Sequence, residues 1–426
     1  TVFEQMLSHM TFVDVFNWSV LLVFSICYIY QFYYVFVVLT RKPPLQEAKA
    51  NHKYAVMISA RNESQVIGDL IHSIRVLNYP QELISIFVIA DNCTDNTAEI
   101  ARNAGATEVY ERFNDEEVGK GYALKFLYEK ICACFPDKRY DGYFVFDADN
   151  LLDENYIFEM NKVFGAGHRI VTSYRNSKNC GSNWISAGYA LWFQRESKFL
   201  NNARMLLGTS CAVSGTGFLV HREIMERNRG WKHFLLTEDI EFTIDSVIQG
   251  ERIAYCGSAI VYDEQPVTFR QSCRQRMRWA KGYFQVFYHY GGQLFRSISR
   301  NGFSGIDLSL TIFPVILFTL AVGVVNIGVD LFNLLLPGGG FSLWLMTLLK
   351  AVLFSYGTLF CMGLLTTVTE WKQIHCKNYK KILYCFTFPL FLATYVPISI
   401  VALFKKVEWK PIQHSVNTSL KDIRSA

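Results

Sequence analysis

The chain has 426 residues, 51% of them hydrophobic and 15% aromatic, with only 19% charged. That balance argues against a purely soluble protein and for water-soluble and lipid-embedded parts in one polypeptide. The net charge of +5 is too mild to indicate nucleic acid by itself. The 11 cysteines, scattered and without CxxC pairs, argue against a disulfide framework or zinc site and for reduced thiols facing the cytosol.

The chain opens at Thr1 rather than Met, so trimming of a few residues is expected. From Trp18 to Leu39, "WSVLLVFSICYIYQFYYVFVVL" carries no charge and is followed by "TRKPP", enough to span a bilayer. With no small-residue cleavage signal closing it, the run is expected to stay as an anchor. Residues 52–300 then read as a globular domain in which strand and helix patterns alternate. "YAVMISA" (54–60), "LISIFVIAD" (83–91) and "GYFVFDADN" (142–150) are buried strands, and "CTDNTAEIARNAG" is a capped helix closing at Gly105. This alternation predicts an α/β domain with a mostly parallel sheet. Ligands of such sheets bind at the carboxyl ends of the strands, where both acidic clusters fall.

Three further apolar runs, Leu308–Val329, Ala351–Thr369 and Ile382–Phe404, each approximate a span. Lys350 lies just outside the second if Phe341–Leu349 is an interfacial lead-in; otherwise it is a membrane charge that needs a partner. The lysine-rich loop Glu370–Lys381, like Arg41 and Lys42, is placed in the cytosol by the positive-inside rule. Four simple spans would send the basic tail "KKVEWKPIQHS" outside, whereas a re-entrant 382–404, broken at Pro389 and Pro397, returns it to the cytosol.

Asp147 and Asp149 form a D-x-D pair at a strand end. Such a pair holds a hard divalent cation together with substrate phosphates, and equally reads as a solvated turn. Asp91 ends another strand beside Thr94 and Asp95, which can cap the next helix. Lys120 stands between two glycines, where a cation can approach phosphate or a turn can open a helix. Glu238, Asp239 and Glu241 after "LLT" read as first-turn acids or as a source of a general base.

In order along 52–300, Asp91, the D-x-D pair, Thr-Glu-Asp and the Q-x-x-R-W of Gln275–Trp279 resemble the family 2 glycosyltransferases. More narrowly they resemble the membrane-integrated processive branch of cellulose, chitin, hyaluronan and poly-N-acetylglucosamine synthases. The resemblance implies a GT-A-like fold in which Asp91, with Lys120 nearby, meets uracil and ribose. It implies that Asp147 contacts the nucleotide, Asp149 coordinates Mg2+ or Mn2+ on the diphosphate, and Asp239, beside Glu238, is the general base. Gln275, Arg278 and Trp279 would hold the diphosphate and the acceptor sugar, and "SGTGFLV" (214–220) would touch the acceptor terminus. The wording of that loop departs from the cellulose and hyaluronan forms and leaves the sugar open.

Residues 267–306 contain Arg270, Arg274, Arg276, Arg278, Lys281, Arg296 and Arg300 and no acid. The helical spacing of Arg270, Arg274, Arg278 and Lys281 predicts an amphipathic interface helix with its arginines toward lipid phosphates or the nucleotide. Nucleic acid fits the charge but not the neighbouring apolar spans. The expected organisation is an N-terminal transmembrane helix (1–41), a cytosolic GT-A domain (42–266), amphipathic interface helices (267–306), a C-terminal transmembrane region (307–404) and a basic tail (405–426). The expected activity is processive, inverting polymerisation of UDP-glucose or UDP-N-acetylglucosamine into a β-linked polysaccharide. The enzyme would sit in the plasma membrane as a multi-pass protein, with its catalytic domain in the cytosol, and meet a UDP-sugar donor, a growing polysaccharide and membrane lipids, with no nucleic acid. The alternatives are transfer of a single sugar to a lipid phosphate carrier, and a transporter or channel with a cytosolic domain.

Overall fold

The computed structural model describes residues 12–44, 46–47, 50–335, 341–408, 414, 416 and 418–425. The start of the expected first segment (1–11), residues 336–340 of the expected C-terminal transmembrane region and parts of the basic tail (409–413, 415, 417 and 426) lie outside the described residues. The strands of the α/β domain are β1 (Tyr54–Ala60), β2 (Ile84–Asp91), β3 (Glu108–Arg112), β4 (Gly142–Asp147), β5 (Leu151–Leu152), β6 (Ile170–Ser177), β7 (Phe218–His221) and β8 (Ile253–Asp263). They form one sheet in the order β3-β2-β1-β4-β7-β6-β8-β5. The pairs β1–β2, β1–β4, β2–β3 and β6–β8 are parallel, while β7 runs antiparallel to β4 and β6, and β5 antiparallel to β8. The sheet is therefore mixed, with its parallel half where the apolar runs predicted it.

Every residue of β2 is buried, which explains why its sequence shows no alternation: helices cover both faces. Period-two geometry divides β1 between two cores. Tyr54, Val56 and Ile58 join a cluster with α1 (Ile67–Arg75), α2 (Thr97–Asn103) and the helix Tyr156–Gly165, whereas Ala55 and Met57 join one with Lys120–Cys134. Asp95 accepts from the Thr97 amide (3.1 Å) at the start of α2, so helix capping there does not engage Asp91. For the remainder, α3 is Lys120–Cys134, α4 is Tyr156–Gly165, α5 is Trp184–Arg195 and α6 is Glu238–Ile248.

The basic stretch lies in α7 (Phe269–Arg296), a 28-residue helix. After it come α8 (Phe303–Ile312), α9 (Val315–Leu335), α10 (Phe341–Thr369), α11 (Asn378–Ala393) and α12 (Tyr395–Phe404). Among the described residues three stretches are long and apolar enough to cross a membrane: Val13–Thr40, Leu348–Thr369 and Asn378–Phe404. The expected single span 308–329 is corrected to two helices. Pro314 lacks an amide proton and forces Phe313 out of the helical region, to φ −62 and ψ 131. Lys350 lies inside α10 near the start of its apolar stretch rather than outside it, with its side chain exposed.

In the segment Asn378–Phe404 a single residue, Thr394, separates α11 from α12. Near its start Lys380 Nζ donates to the Gly181 carbonyl of the α/β domain (2.6 Å), and near its end the Leu403 carbonyl accepts from Lys281 Nζ of α7 (3.4 Å). Beyond it, the short helix Leu420–Ser425 rests on the domain, with Ile423 buried against Leu151 and Tyr262. The first apolar stretch is fixed to the domain by a buried ion pair: Arg204 donates to Asp307 of α8 at 2.7 and 2.8 Å. Tyr30 and Tyr34 donate to the same carboxylate at 2.8 and 2.6 Å.

Candidate active site

Asp91 and Asp147 are the last residues of two parallel strands, β2 and β4. Asp91 is buried and accepts from Arg112 Nη1 (2.6 Å), the last residue of β3. Lys120 is not the partner of Asp91. Its amine sits 2.6 Å from Asp147 Oδ1, 2.8 Å from the Gly215 carbonyl and 3.5 Å from Glu238 Oε1.

The two glycines around Lys120 have separate reasons. Gly119 has φ +137, and a Cβ on Gly121 would lie 2.1 Å from the His233 carbonyl. They bring the start of α3 against the start of α6 and aim the lysine between β4 and Thr-Glu-Asp. Burial opposes the charge on Lys120, but Asp147 and Glu238 outweigh it and raise its pKa. Glu238 is itself enclosed, and burial pushes it up to about 7 while Lys120 pulls the other way.

The 214–217 loop joins these groups. The Gly215 amide donates to Asp239 Oδ2 (2.6 Å), and the Asp147 amide donates to Thr216 Oγ1 (2.9 Å). Gly215 and Gly217 have φ +76 and +67, a conformation that favours glycine. Beneath the loop, Arg175 donates to the Ser214 carbonyl (3.2 Å) and, through Nε, to Asp263 (2.8 Å). Glu241 departs from its two acidic neighbours. It accepts from the Leu235 amide (2.8 Å) and the Tyr290 hydroxyl (2.9 Å), and so braces α6 against α7.

Asp149 points to other partners than Asp147. It is buried, accepts from the Glu264 amide (2.9 Å), and lies 3.8 Å from His414 Nε2. His414 also meets Glu63 at 2.9 Å, and the Val416 amide donates to Glu264 (2.9 Å). Burial works against a charged imidazole, yet Asp149, Glu63 and Glu264 raise His414 to about 10. His414 and Lys178 together hold Asp149 below the usual carboxylate range despite its burial. Lys178, 7% exposed, has an amine with no hydrogen-bond partner among the described residues. Among those residues no three His, Cys, Asp or Glu side chains converge on a protein-only metal cage. A buried carboxylate such as Asp149 fits the other mode, a hard cation shared with substrate phosphates.

Helix α7 brings Q-x-x-R-W to the same place. A Cβ on Gly282 would lie 2.5 Å from Thr237, so the glycine permits close approach to Thr-Glu-Asp. Arg278 donates to the Leu236 carbonyl (2.9 Å), and Gln275 Oε1 is enclosed without a partner. Trp279 is half-buried, with Tyr189 and Phe193 of α5 edge-on at 5.6 and 5.8 Å between ring centroids. Two cations of this helix face protein carbonyls rather than lipid: Lys281, which was expected on the basic face, and Arg276, which was not. Arg276 is 1% exposed and donates to the Phe391 carbonyl (3.0 Å) and Thr394 Oγ1 (2.8 Å), while Lys281 reaches Leu403. Helix ends leave carbonyls unpaired, and these side chains satisfy them.

Reading the sequence missed Arg112, Arg175, Asp263, Glu63 and His414. Arg175 is a charge near the end of the largely buried strand β6, and His414 lies 351 residues from Glu63. The π-helical turn Glu196–Asn201 also belongs here, since Ser214 Oγ donates to Glu196 (3.2 Å); such turns often mark functional sites.

A family model described as "Glycosyltransferase like family 2" matches residues 51–282, a little over half of the chain. The chain is 26% identical over 261 residues to the probable glycosyltransferase YdaM of Bacillus subtilis, covering 57% of this chain and 58% of that protein. It is 25% identical over 247 residues to a beta-monoglucosyldiacylglycerol synthase of Nostoc sp., covering 55% and 50%. It is 26% identical over 232 residues to a poly-beta-1,6-N-acetyl-D-glucosamine synthase of Staphylococcus epidermidis, covering 54% of each. The chain thus spans about half the length of these curated relatives. The fold is similar to that of the mannosyltransferase PcManGT from Pyrobaculum calidifontis, solved with GDP-Man and Mn2+: TM-score 0.52, 16% identity, 89% of this chain and 95% of that one. Sheet, site and family match agree, and the chain belongs to the family 2 glycosyltransferases.

Proposed function

We propose that this glycosyltransferase takes a hexose from UDP-glucose or UDP-N-acetylglucosamine and adds it, with inversion, to a growing β-linked polysaccharide at a membrane, its catalytic domain in the cytosol. The observation that carries the reading is the convergence of Lys120, Asp147, Glu238 and Asp239 on the Gly215 loop. In that arrangement Asp239, one oxygen oriented by the Gly215 amide, takes the proton from the acceptor hydroxyl. The new bond from that oxygen to the anomeric carbon forms as the bond from the carbon to the diphosphate oxygen breaks, and UDP leaves with the electron pair. Lys120 and Arg278 offset the charge that develops on the leaving group. A Mg2+ or Mn2+ ion held by Asp149 would add Lewis-acid stabilisation of the same diphosphate. Asp91, fixed by Arg112, lies at the strand end where the nucleoside would bind, and Gln275 and Trp279 would meet the acceptor.

Transfer of one sugar to a lipid is the second reading. The Nostoc relative is named for a glycolipid product, and the Trp279 ring on which a growing chain would rest is already engaged by Tyr189 and Phe193. Purified enzyme incubated separately with each labelled UDP-sugar, followed by sizing of the product, tests the proposal. Long polymer supports it; a product of one sugar on an extractable lipid selects the second reading.

A further inference from the structure

A cavity of about 640 Å³ opens between the N-terminal apolar stretch, the end of α7 and α8. Its walls include Val23, Phe24, Cys27, Phe287, Phe295 and Phe313, within the range of roughly 300–1,000 Å³ usual for sites that take small ligands. Close-packed interiors do not leave a void of this size, and one side of the cavity is a candidate membrane span. Acyl chains therefore have access to it.

Two polar features interrupt the apolar wall. Ser309 Oγ is enclosed without a hydrogen-bond partner, and Arg296 stands exposed at the rim. Arg276, Arg278 and Lys281 of the same helix are engaged by protein carbonyls. Arg296 has no ion-pair or hydrogen-bond partner for its guanidinium among the described residues, and no acid occurs across 267–306 to supply one. An apolar cavity with a cation at its polar edge that has no partner among the described residues is complementary to an anionic amphiphile.

We propose that the cavity is a phospholipid site: one acyl chain fills it and the anionic headgroup rests on Arg296. The lipid bridges the N-terminal stretch and the α7–α8 face, which Tyr30 and Tyr34 of that stretch already join through Asp307 of α8. The proposal rests on the membrane-facing cavity and not on the transfer reaction, so its test reads lipid retention rather than turnover.

The full chain is purified in mild detergent, offered phosphatidylglycerol or phosphatidylcholine of equal acyl length, and weighed by native mass spectrometry. One retained phosphatidylglycerol per chain is expected, preferred about fivefold over phosphatidylcholine, the effect of one juxtamembrane cation. Arg296→Gln abolishes the preference while lipid is still retained. Cys27→Trp, or Ser309→Leu approaching from the opposite wall, fills the cavity and removes the retained lipid, with circular dichroism reporting whether each variant has folded. Equal retention of the two lipids, an undiminished preference in Arg296→Gln, or full retention in a folded cavity-filled variant overturns the proposal.

Discussion

Lys120→Met removes a cation that lies 2.6 Å from Asp147 and 3.5 Å from Glu238. Opposite unit charges about 4 Å apart attract by roughly 4 kcal/mol at an effective dielectric of about 20, and stripping one partner from a buried pair costs roughly 3–5 kcal/mol. The two carboxylates respond differently. Asp147, its side chain 36% exposed, regains water, whereas Glu238 at 11% must take up a proton instead. The expected loss is therefore about 2 kcal/mol, below the range for a fully enclosed pair. Its pH dependence is the sharper test. A carboxyl raised from 4.5 to about 7 by burial contributes stability below pH 4.5 and loses it as pH rises through about 7. Without Lys120, which lowers Glu238, that loss continues to higher pH, so the Tm deficit of the variant widens between pH 6 and pH 8.5. Turnover should also fall about 10²–10³-fold, as when a group that stabilises a developing anion is removed. Thermal unfolding at the two pH values, with UDP release measured alongside, checks both numbers. A deficit that is equal at both pH values, or turnover near that of the unmodified enzyme, would refute the coupling of Lys120 to Glu238 and to the leaving group.

Excess chelator should stop sugar transfer, and added Mg2+ or Mn2+ should restore it; full turnover without free divalent ions would remove Asp149 from the role of metal ligand. Trp279→Ala should leave UDP affinity within a few-fold while product formation collapses, and because the indole packs on Tyr189 and Phe193 it should also cost about 1–3 kcal/mol in thermal unfolding. Equal loss of UDP binding and product would assign Trp279 to anchoring α7. Asp307→Ala leaves Arg204 buried without its carboxylate and should cost roughly 3–5 kcal/mol, read as a lower Tm in detergent; an unchanged Tm would mean that the pair does not hold the N-terminal stretch to the domain.

The parallel half of the sheet was legible because β1, β2 and β4 are continuous apolar runs ending in polar residues, the pattern of strands covered on both faces. The antiparallel β7 was not, since four residues carry too little periodicity and its place between β4 and β6 is set by partners far along the chain. The span expected over 308–329 rested on apolar length alone and took no account of Pro314, where the helix breaks. Helical spacing predicted a basic face on α7 but could not show that Arg276 turns inward to carbonyls 115 residues away. The ordered acidic motifs led to the candidate site because strand ends place them together. The segment 214–220 was singled out only through the resemblance, and its contacts to Lys120 and Asp239 run through backbone groups of Gly215; His414, a distant imidazole, leaves no local pattern.

The claim at the centre of this account is that Asp239 removes the acceptor proton while the Gly215 amide holds its carboxylate in place. Asp239→Asn keeps the size of the side chain and its contact with that amide but cannot take the proton. Binding of UDP-sugar by calorimetry and transfer of labelled sugar should be measured on the same preparation. Donor affinity within a few-fold of the unmodified enzyme, with transfer reduced about 10²–10⁴-fold, is the result expected of a general base. Transfer at the unmodified rate with donor affinity unchanged would contradict it.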